Sequence, residues 1–403
     1  MKFVKRFLFV IFSIVLMSPN LIAQKSITYD NARLMELKRA YENRDERVVP
    51  HIKALIDFSE RYFVSKIFNI AEEKKRIAPS KDPRDYISLS RYWWPNSDTK
   101  DGLPYIRHDG KSNPELEEYD HTKITQLENA VTTLGLLYYL TGEERYARRT
   151  SEILREMFLD PATGMNPNMT YSQYVPGMTY MRGTGILDSR ILVNALNSAK
   201  LIEESRFWSI GDKKAMHEWA KTFLYWIENS TQGQMEFNAS NNHGLWYDVI
   251  RMGLSYFIDD YTHVKWIVEN SLYKRLEVQQ AKNGSFPEEL ARTLGLSYTT
   301  FALEAFYEAA EIASKTGIDI WTYTSPDGRS ISKGVEFAYP YYLEPQKWPY
   351  EQISPFEKER GSMALYVAGL KLNNREYINA ARKIGYTPES KLKYLLYFDI
   401  IKK

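Results

Sequence analysis

The sequence contains no cysteine and only six histidines in 403 residues. Without thiols there is no disulfide framework, no thiolate metal site and no acceptor for a lipid anchor, so core packing alone must hold the fold. Charge of one sign is also missing: the formal net charge is +2, with no basic arm or stripe. That balance excludes nucleic acid as a partner. No apolar run is long enough to span a bilayer. The run Phe7 to Met17 follows Lys2, Lys5 and Arg6 and leads through Ser18-Pro19-Asn20 to Leu21-Ile22-Ala23. This is the layout of a secretory signal peptide, residues 1–23, cut after Ala23; a cytosolic start with a core helix is the competing reading. Removing those three basic residues and no acidic ones takes the formal charge from +2 to −1. The remaining chain, 24–403, is expected to be one folding unit, periplasmic or secreted and without a membrane anchor, because no linker rich in Gly, Ser or Pro divides it.

What the sequence has in excess is aromatic surface. Tyr 30, Phe 18 and Trp 9 make up 14% of the chain, which suits a long cleft that stacks against sugar faces, and equally a large helical core. Apolar positions recur at spacings of three and four. From Asp120 to Leu140 they are Ile124, Leu127, Ala130, Val131, Leu134, Leu137 and Tyr138, and Thr141-Gly142 then breaks the run. Glu143 to Phe158 begins the next stripe, so the two must fold back as an antiparallel hairpin. The pattern returns over 188–204, 213–229, 245–257, 262–276, 297–314, 356–370 and 375–384. Strand signals are sparse, with an isolated β-rich piece at Tyr339 to Leu343. These features predict an all-α fold, an (α/α) toroid or incomplete barrel of antiparallel helix hairpins, with a plain α-solenoid as the competing architecture. The polar-aromatic insertions Pro83 to Pro114 and Pro161 to Gly185 favour the toroid, because long loops of that composition belong at the mouth of a cleft.

Three strings carry candidate chemistry. In Asn238-Ala239-Ser240-Asn241-Asn242-His243-Gly244-Leu245-Trp246-Tyr247-Asp248, buried amides would each need several partners, so the composition reads as a site rather than a core. Asn donates to a carboxylate or a developing enolate-like charge, and neutral His accepts a proton near physiological pH. The bland reading is that Asn241 and Asn242 cap the next helix while His243 packs. In Asn283 to Thr293, followed by Tyr298, Arg292 has the fork to hold a carboxylate. Tyr298 has a hydroxyl to carry a proton if a neighbouring cation lowers its pKa. A surface arginine and a core ring would give the same spacing. In Asp85 to Asn96, continuing to Glu115, the adjacent Trp93 and Trp94 with Tyr92 form a sugar platform or a lid, against packing between helices.

Tyr92-Trp93-Trp94-Pro95, Asp101-Gly102-Leu103-Pro104-Tyr105, Asn241-Asn242-His243-Gly244, the Ser285 to Arg292 segment and Trp348-Pro349-Tyr350 together resemble the alginate lyase family of polysaccharide lyases. The resemblance runs from about Asp82 to about Ile353. Glycine after the histidine, where serine is the other form, is similar to a Bacteroides-type branch. The resemblance implies β-elimination on an anionic polysaccharide, alginate or a related polyuronate such as glucuronan, with no metal or other cofactor. On the matching positions it implies that Asn242, with His243 and Arg292, neutralises the uronate carboxylate. Tyr298 is implied as the acid, and as the base where both groups lie on one face. His243 is then the base for the opposite face.

Further substrate contacts are expected from Arg182, in the tight loop Arg182-Gly183-Thr184-Gly185, from Gln126 on the helix that starts near Asp120, and from Trp246. Glu128 and Asn129 share that helix, where interhelical hydrogen bonds would serve equally. His108 and His121 have no partner at metal-ligand spacing, and His217 and His263 sit in amphipathic helices, so all four read as structural or exposed. Two other functions compete. A glycoside hydrolase on the same architecture would draw its carboxylates from Asp188, Glu236, Asp248 and Glu288. A non-catalytic glycan-binding protein would explain the Trp pair but not the Asn242, His243, Arg292, Tyr298 set.

Overall fold

The computed structural model describes residues 26–65, 68–385 and 395–400; the signal-peptide reading of residues 1–23 lies outside them. The architecture is an (α/α) toroid. His121–Thr141 ends at Gly142, whose φ of +72° gives the left-handed cap that a side chain would strain, and Glu144–Leu154 returns along it. Ser209 opens Ile210–Asn229 with a reciprocal capping box to Asp212.

The helices His121–Thr141, Arg190–Leu201, Asn242–Phe257 and Gly295–Ser314 pack on one another in that order, and Lys358–Lys371 packs on the last of them. They form the inner ring. Every residue from Gly244 to Phe257 is buried, as an inner helix covered on all sides requires. Arg375–Ile384, by contrast, buries only Tyr377, Ala380 and Ala381 and covers Lys358–Lys371 from outside. The first and last described segments meet beside the ring. Asn31–Glu42 packs on His121–Thr141 and on Leu395–Ile400, Lys371 Nζ reaches Asp30 and Glu311 at 2.9 and 3.1 Å, and Lys315 Nζ donates to the Ile27 carbonyl. One apolar cluster runs from Ile27 to Leu396 through all of these elements.

The expected helices are present with shifted ends, and three differences have local causes. Glu143 to Phe158 is α-helical only to Leu154 and then widens into a π turn, Arg155–Leu159. The stretch 262–276 has a similar π turn, Val268–Leu272. Tyr339 to Leu343 is not a strand but the end of the helix Ile331–Leu343, where Val335, Ala338 and Tyr342 are buried at helical spacing and outweigh the β-rich composition. The long insertions form two small sheets over a separate apolar cluster of Ala78, Ile87, Leu89 and Tyr119. β1 (Ile87–Leu89) pairs in parallel with β4 (Tyr171–Tyr174), and β2 (Trp93–Trp94) pairs antiparallel with β3 (Ile106–Arg107), in register Trp93 to Arg107 and Trp94 to Ile106. Among the described residues no helix is long and apolar enough to cross a membrane.

Candidate active site

A cleft of about 890 Å³ opens where the inner helices begin. His121, Arg190, Asn242 and His243 line it from the first residues of their helices, Leu294, Ser297 and Tyr298 from the start of Gly295–Ser314, and Arg360 from the start of Lys358–Lys371. Five helix N-termini therefore present their positive ends to one space, which favours anions. Side chains reinforce the field: Arg91, Arg107, Arg182, Arg190, Arg292 and Arg360 line the cleft, against Asp188 and Glu236.

One wall is built around His243. Asn241 caps the helix Asn242–Phe257, its side chain accepting from the His243 N–H at 3.2 Å, an interaction that contributes about 1 kcal/mol. The His243 ring pairs through Nδ1 with Glu236 Oε1 at 2.6 Å, from the short helix Thr231–Phe237. That partner assigns the ring proton to Nδ1 and leaves Nε2 as the acceptor. Burial works to lower the His243 pKa, but the Glu236 carboxylate outweighs it and the net direction is up. Gly244 follows because a Cβ there would stand 2.3 Å from Arg275 Nη1 and 2.4 Å from the Ala239 carbonyl oxygen. Asn242 is buried; its backbone N–H and Nδ2 donate to the two oxygens of Glu289 at 2.6 and 2.8 Å. It does not cap the helix, and one amide hydrogen remains beyond the Glu289 bond.

The facing wall is built around Tyr298. Its hydroxyl donates to the Tyr92 hydroxyl at 2.8 Å, and the Arg292 guanidinium lies 4.0 Å from its ring centroid. The expected lowering of the Tyr298 pKa does not occur. Burial and the bond to Tyr92 push it well up, against the pull of Arg292, so the phenol stays protonated. Arg292 is not a free fork either. It is committed to Asp109, Nε to Oδ2 at 3.0 Å and Nη2 to Oδ1 at 2.7 Å, and Asp109 also accepts from Thr293 and Arg107. Burial would raise the Asp109 carboxyl, but these donors hold it well below the ordinary range.

Of the other expected contacts, Tyr92, Trp93 and Arg182 line the cleft. Arg182 Nη1 donates to Ser90 Oγ at 2.9 Å and its guanidinium lies 5.2 Å from the Trp93 ring centroid. Three do not. Trp94 alternates to the opposite face of β2 from Trp93, where its Nε1 donates to the Lys111 carbonyl. Gln126 is exposed on the helix surface away from the cleft. Trp246 is buried one helical turn below His243, packed on Phe301 with centroids 4.9 Å apart.

His121, read from sequence as structural or exposed, lines the cleft. Its Nδ1 stands 3.8 Å from Asp188 and its Nε2 3.4 Å from Arg91 Nη2, and burial lowers its pKa. Sequence reasoning also missed Asp109, Glu289 and Arg190. The first two lie inside segments already singled out, but nothing in their spacing reveals the residues they hold. Of the four hydrolase carboxylates, Asp188 and Glu236 line the cleft, and each is already engaged by neighbouring side chains. Asp248 is buried under Arg275 and Ser271, Glu288 is exposed, Asp188 accepts from Tyr86 and Ser88, and Glu236 is bound to His243. Among the described residues no three His, Asp or Glu side chains converge at metal-ligand spacing.

A helical toroid with an arginine-lined cleft where its inner helices begin fits a polysaccharide lyase, and comparison with known proteins puts the chain in that class. The alginate lyase family model matches residues 69–348. The crystal structure of an alginate lyase from Bacteroides ovatus is similar at TM-score 0.88 and 35% identity, over 92% of this chain and 98% of that one. The chain belongs to the alginate lyase family. Alginate lyase A1-III from Sphingomonas species A1 shares the fold at TM-score 0.51 and 19% identity, over 87% of this chain and 90% of that one. A variant of A1-III complexed with a tetrasaccharide has TM-score 0.53 at 17% identity, over 87% and 89%. No curated protein sequence matches the chain.

Proposed function

We propose that this lyase cleaves alginate by β-elimination, with His243 as base and Tyr298 as acid. The hydrogen on carbon 5, next to the uronate carboxylate, leaves as a proton to His243 Nε2. Its electron pair becomes the double bond between carbons 4 and 5. The bond from carbon 4 to the glycosidic oxygen breaks, and that oxygen takes the Tyr298 proton. Tyr298 then recovers a proton from water and His243 gives up its proton to the hydroxide left behind, which resets both groups, while the Arg292 guanidinium over the Tyr298 ring stabilises the transient phenolate. Asn242, fixed by Glu289, offers its remaining amide hydrogen to the carboxylate as charge moves onto it, and the five helix N-termini add to that effect. Arg182 and Trp93, with Tyr92, hold the chain at the mouth.

The observation that carries this reading is the different state of two groups in one cleft: a histidine whose Nδ1 is engaged by a carboxylate, leaving Nε2 to accept, and a tyrosine held as the phenol. Both pKa values are raised, which makes His243 the stronger base once neutral and keeps Tyr298 a proton donor. A one-face elimination would need Tyr298 to start as the phenolate, so His243 is the base in the resting site. With residues 1–23 as a secretory leader, the reaction would take place in the periplasm or outside the cell. The test is ultraviolet absorbance over time with alginate, mannuronate-rich and guluronate-rich blocks, and glucuronan. Elimination creates a conjugated double bond, and alginate should give the fastest rise. New reducing ends without absorbance would refute the reading.

A further inference from the structure

Behind the cleft, along the same axis of the ring, lies a second cavity of about 590 Å³, and the two share Arg190, Phe301 and Arg360 as a partition. The charge balance reverses across it. The second cavity is lined by Asp30, Glu304, Glu308, Glu311 and Glu357, against Arg190, Arg360 and Lys371. An anionic chain attracted into the cleft is therefore opposed beyond the partition.

The partition residues differ in what they have left to bind with. Arg360 is consumed by Glu304, with Nε to Oε1 at 2.9 Å and Nη2 to Oε2 at 2.5 Å, as Arg107 and Arg292 are by Asp109. The Arg190 side chain makes no hydrogen bond to a described residue and has no carboxylate within 4.0 Å, although Glu308 lies near enough to feel its charge. Its guanidinium is instead set against two rings, 5.7 Å from the Trp246 centroid and 5.5 Å from that of Phe301. Ring contacts orient a guanidinium while leaving its five donors unspent.

We infer that Arg190, with the Phe301 ring, forms the innermost sugar subsite of the cleft and binds the carboxylate of the deepest uronate residue. The inference rests on the polyuronate reading above. A planar fork opposite a carboxylate gives a paired, charge-assisted contact, and Phe301 offers an apolar face to the ring that bears it. Trp246, which the sequence suggested as a substrate contact, acts here from behind, by orienting Arg190.

The test is calorimetric titration of a tetrasaccharide of uronate residues into the full chain carrying Tyr298→Phe, which prevents turnover, with and without Arg190→Gln. The substitution should weaken binding at least tenfold and flatten its dependence on salt concentration. Arg190→Lys keeps the charge but loses the fork, and should fall between the two. Glu357→Gln, which lines only the second cavity, should leave the affinity within twofold. Unchanged affinity in Arg190→Gln, or in Arg190→Lys should the glutamine variant not fold, would overturn the subsite while leaving the polyuronate reading intact. If the Tyr298→Phe parent binds no uronate tetrasaccharide and the unsubstituted chain forms no unsaturated product, both fall together.

Discussion

The two walls of the cleft solve opposite problems with similar materials. Each holds a titratable ring backed by a partner of opposite tendency: His243 by Glu236, and Tyr298 by Arg292. On the first wall the partner wins. Glu236 lifts the His243 pKa against burial, so the imidazole is oriented and made more basic. On the second wall burial wins. Arg292 is neutralised by Asp109, so its pull on Tyr298 is too weak to free the phenolate. The difference shows that an adjacent charge predicts a pKa only when its own pairing is known.

The largest expected effect is on the acid. Tyr298→Phe should lower the turnover of every polyuronate by about 10³-fold, while the thermal melt stays near that of the parent, since only the bond to Tyr92 is lost. Wild-type turnover in this variant would remove Tyr298 from the mechanism. Next comes the base. Mannuronate and guluronate are epimers at carbon 5, so their hydrogens lie on opposite faces. His243→Ala should cost about 10²-fold or more on the epimer whose hydrogen faces it. An equal loss on both epimers, or on neither, would break the division of labour between the walls.

Glu236→Gln tests the cause rather than the residue. The base must be neutral to accept a proton, so the rate rises as pH climbs through the His243 pKa, which Glu236 holds above its ordinary value. Removing the charge should move that rising limb to lower pH and lower the plateau, because a neutral amide oxygen holds Nδ1–H less strongly than the carboxylate and does not stabilise the imidazolium. A limb that stays in place would mean that His243 does not control it.

Asp109→Asn addresses the other wall. Asp109 is only about one-fifth exposed and bridges Arg107, Arg292 and Thr293, so the change should destabilise the fold by about 2 kcal/mol at neutral pH. A carboxyl with a depressed folded pKa contributes stability above its unfolded pKa and loses it as pH falls through the folded one. The melting difference between wild type and variant should therefore shrink below about pH 4. A difference that persists there would assign the stability to something other than the ionised carboxylate.

The same logic of paired charges explains what the sequence could and could not reveal. Helical period was legible because the stripes are long: Arg375–Ile384 has the expected bounds, and Gly295–Ser314 begins two residues before the expected start. The strings around Asn242, Arg292 and Tyr92 stood out because amides, forks and adjacent rings are poor core material. Their partners did not. Asp109 lies 183 residues from Arg292, and Glu289 lies 47 from Asn242, and local spacing carries no record of such distant pairs. Direction was equally hidden. Gln126 and Trp246 belong to cleft-bordering helices, yet one points outward and the other below the floor, because a helix turns about 100° per residue.

Trp93 and Trp94 give the finest form of the comparison, since they are neighbours in one strand with opposite faces. Trp93 lines the cleft beside Arg182, whereas Trp94 is tied by its indole N–H to Lys111 on the other side of β2. If the cleft face carries the sugar contact, Trp93→Ala should raise KM by roughly fivefold, the equivalent of about 1 kcal/mol of ring contact. Trp94→Ala should leave KM within twofold and act on stability instead, because it removes a hairpin contact and no substrate surface. Equal KM changes would mean that the hairpin works as a single lid whose position, rather than either ring, sets affinity. A larger change at Trp94 would invert the assignment of faces.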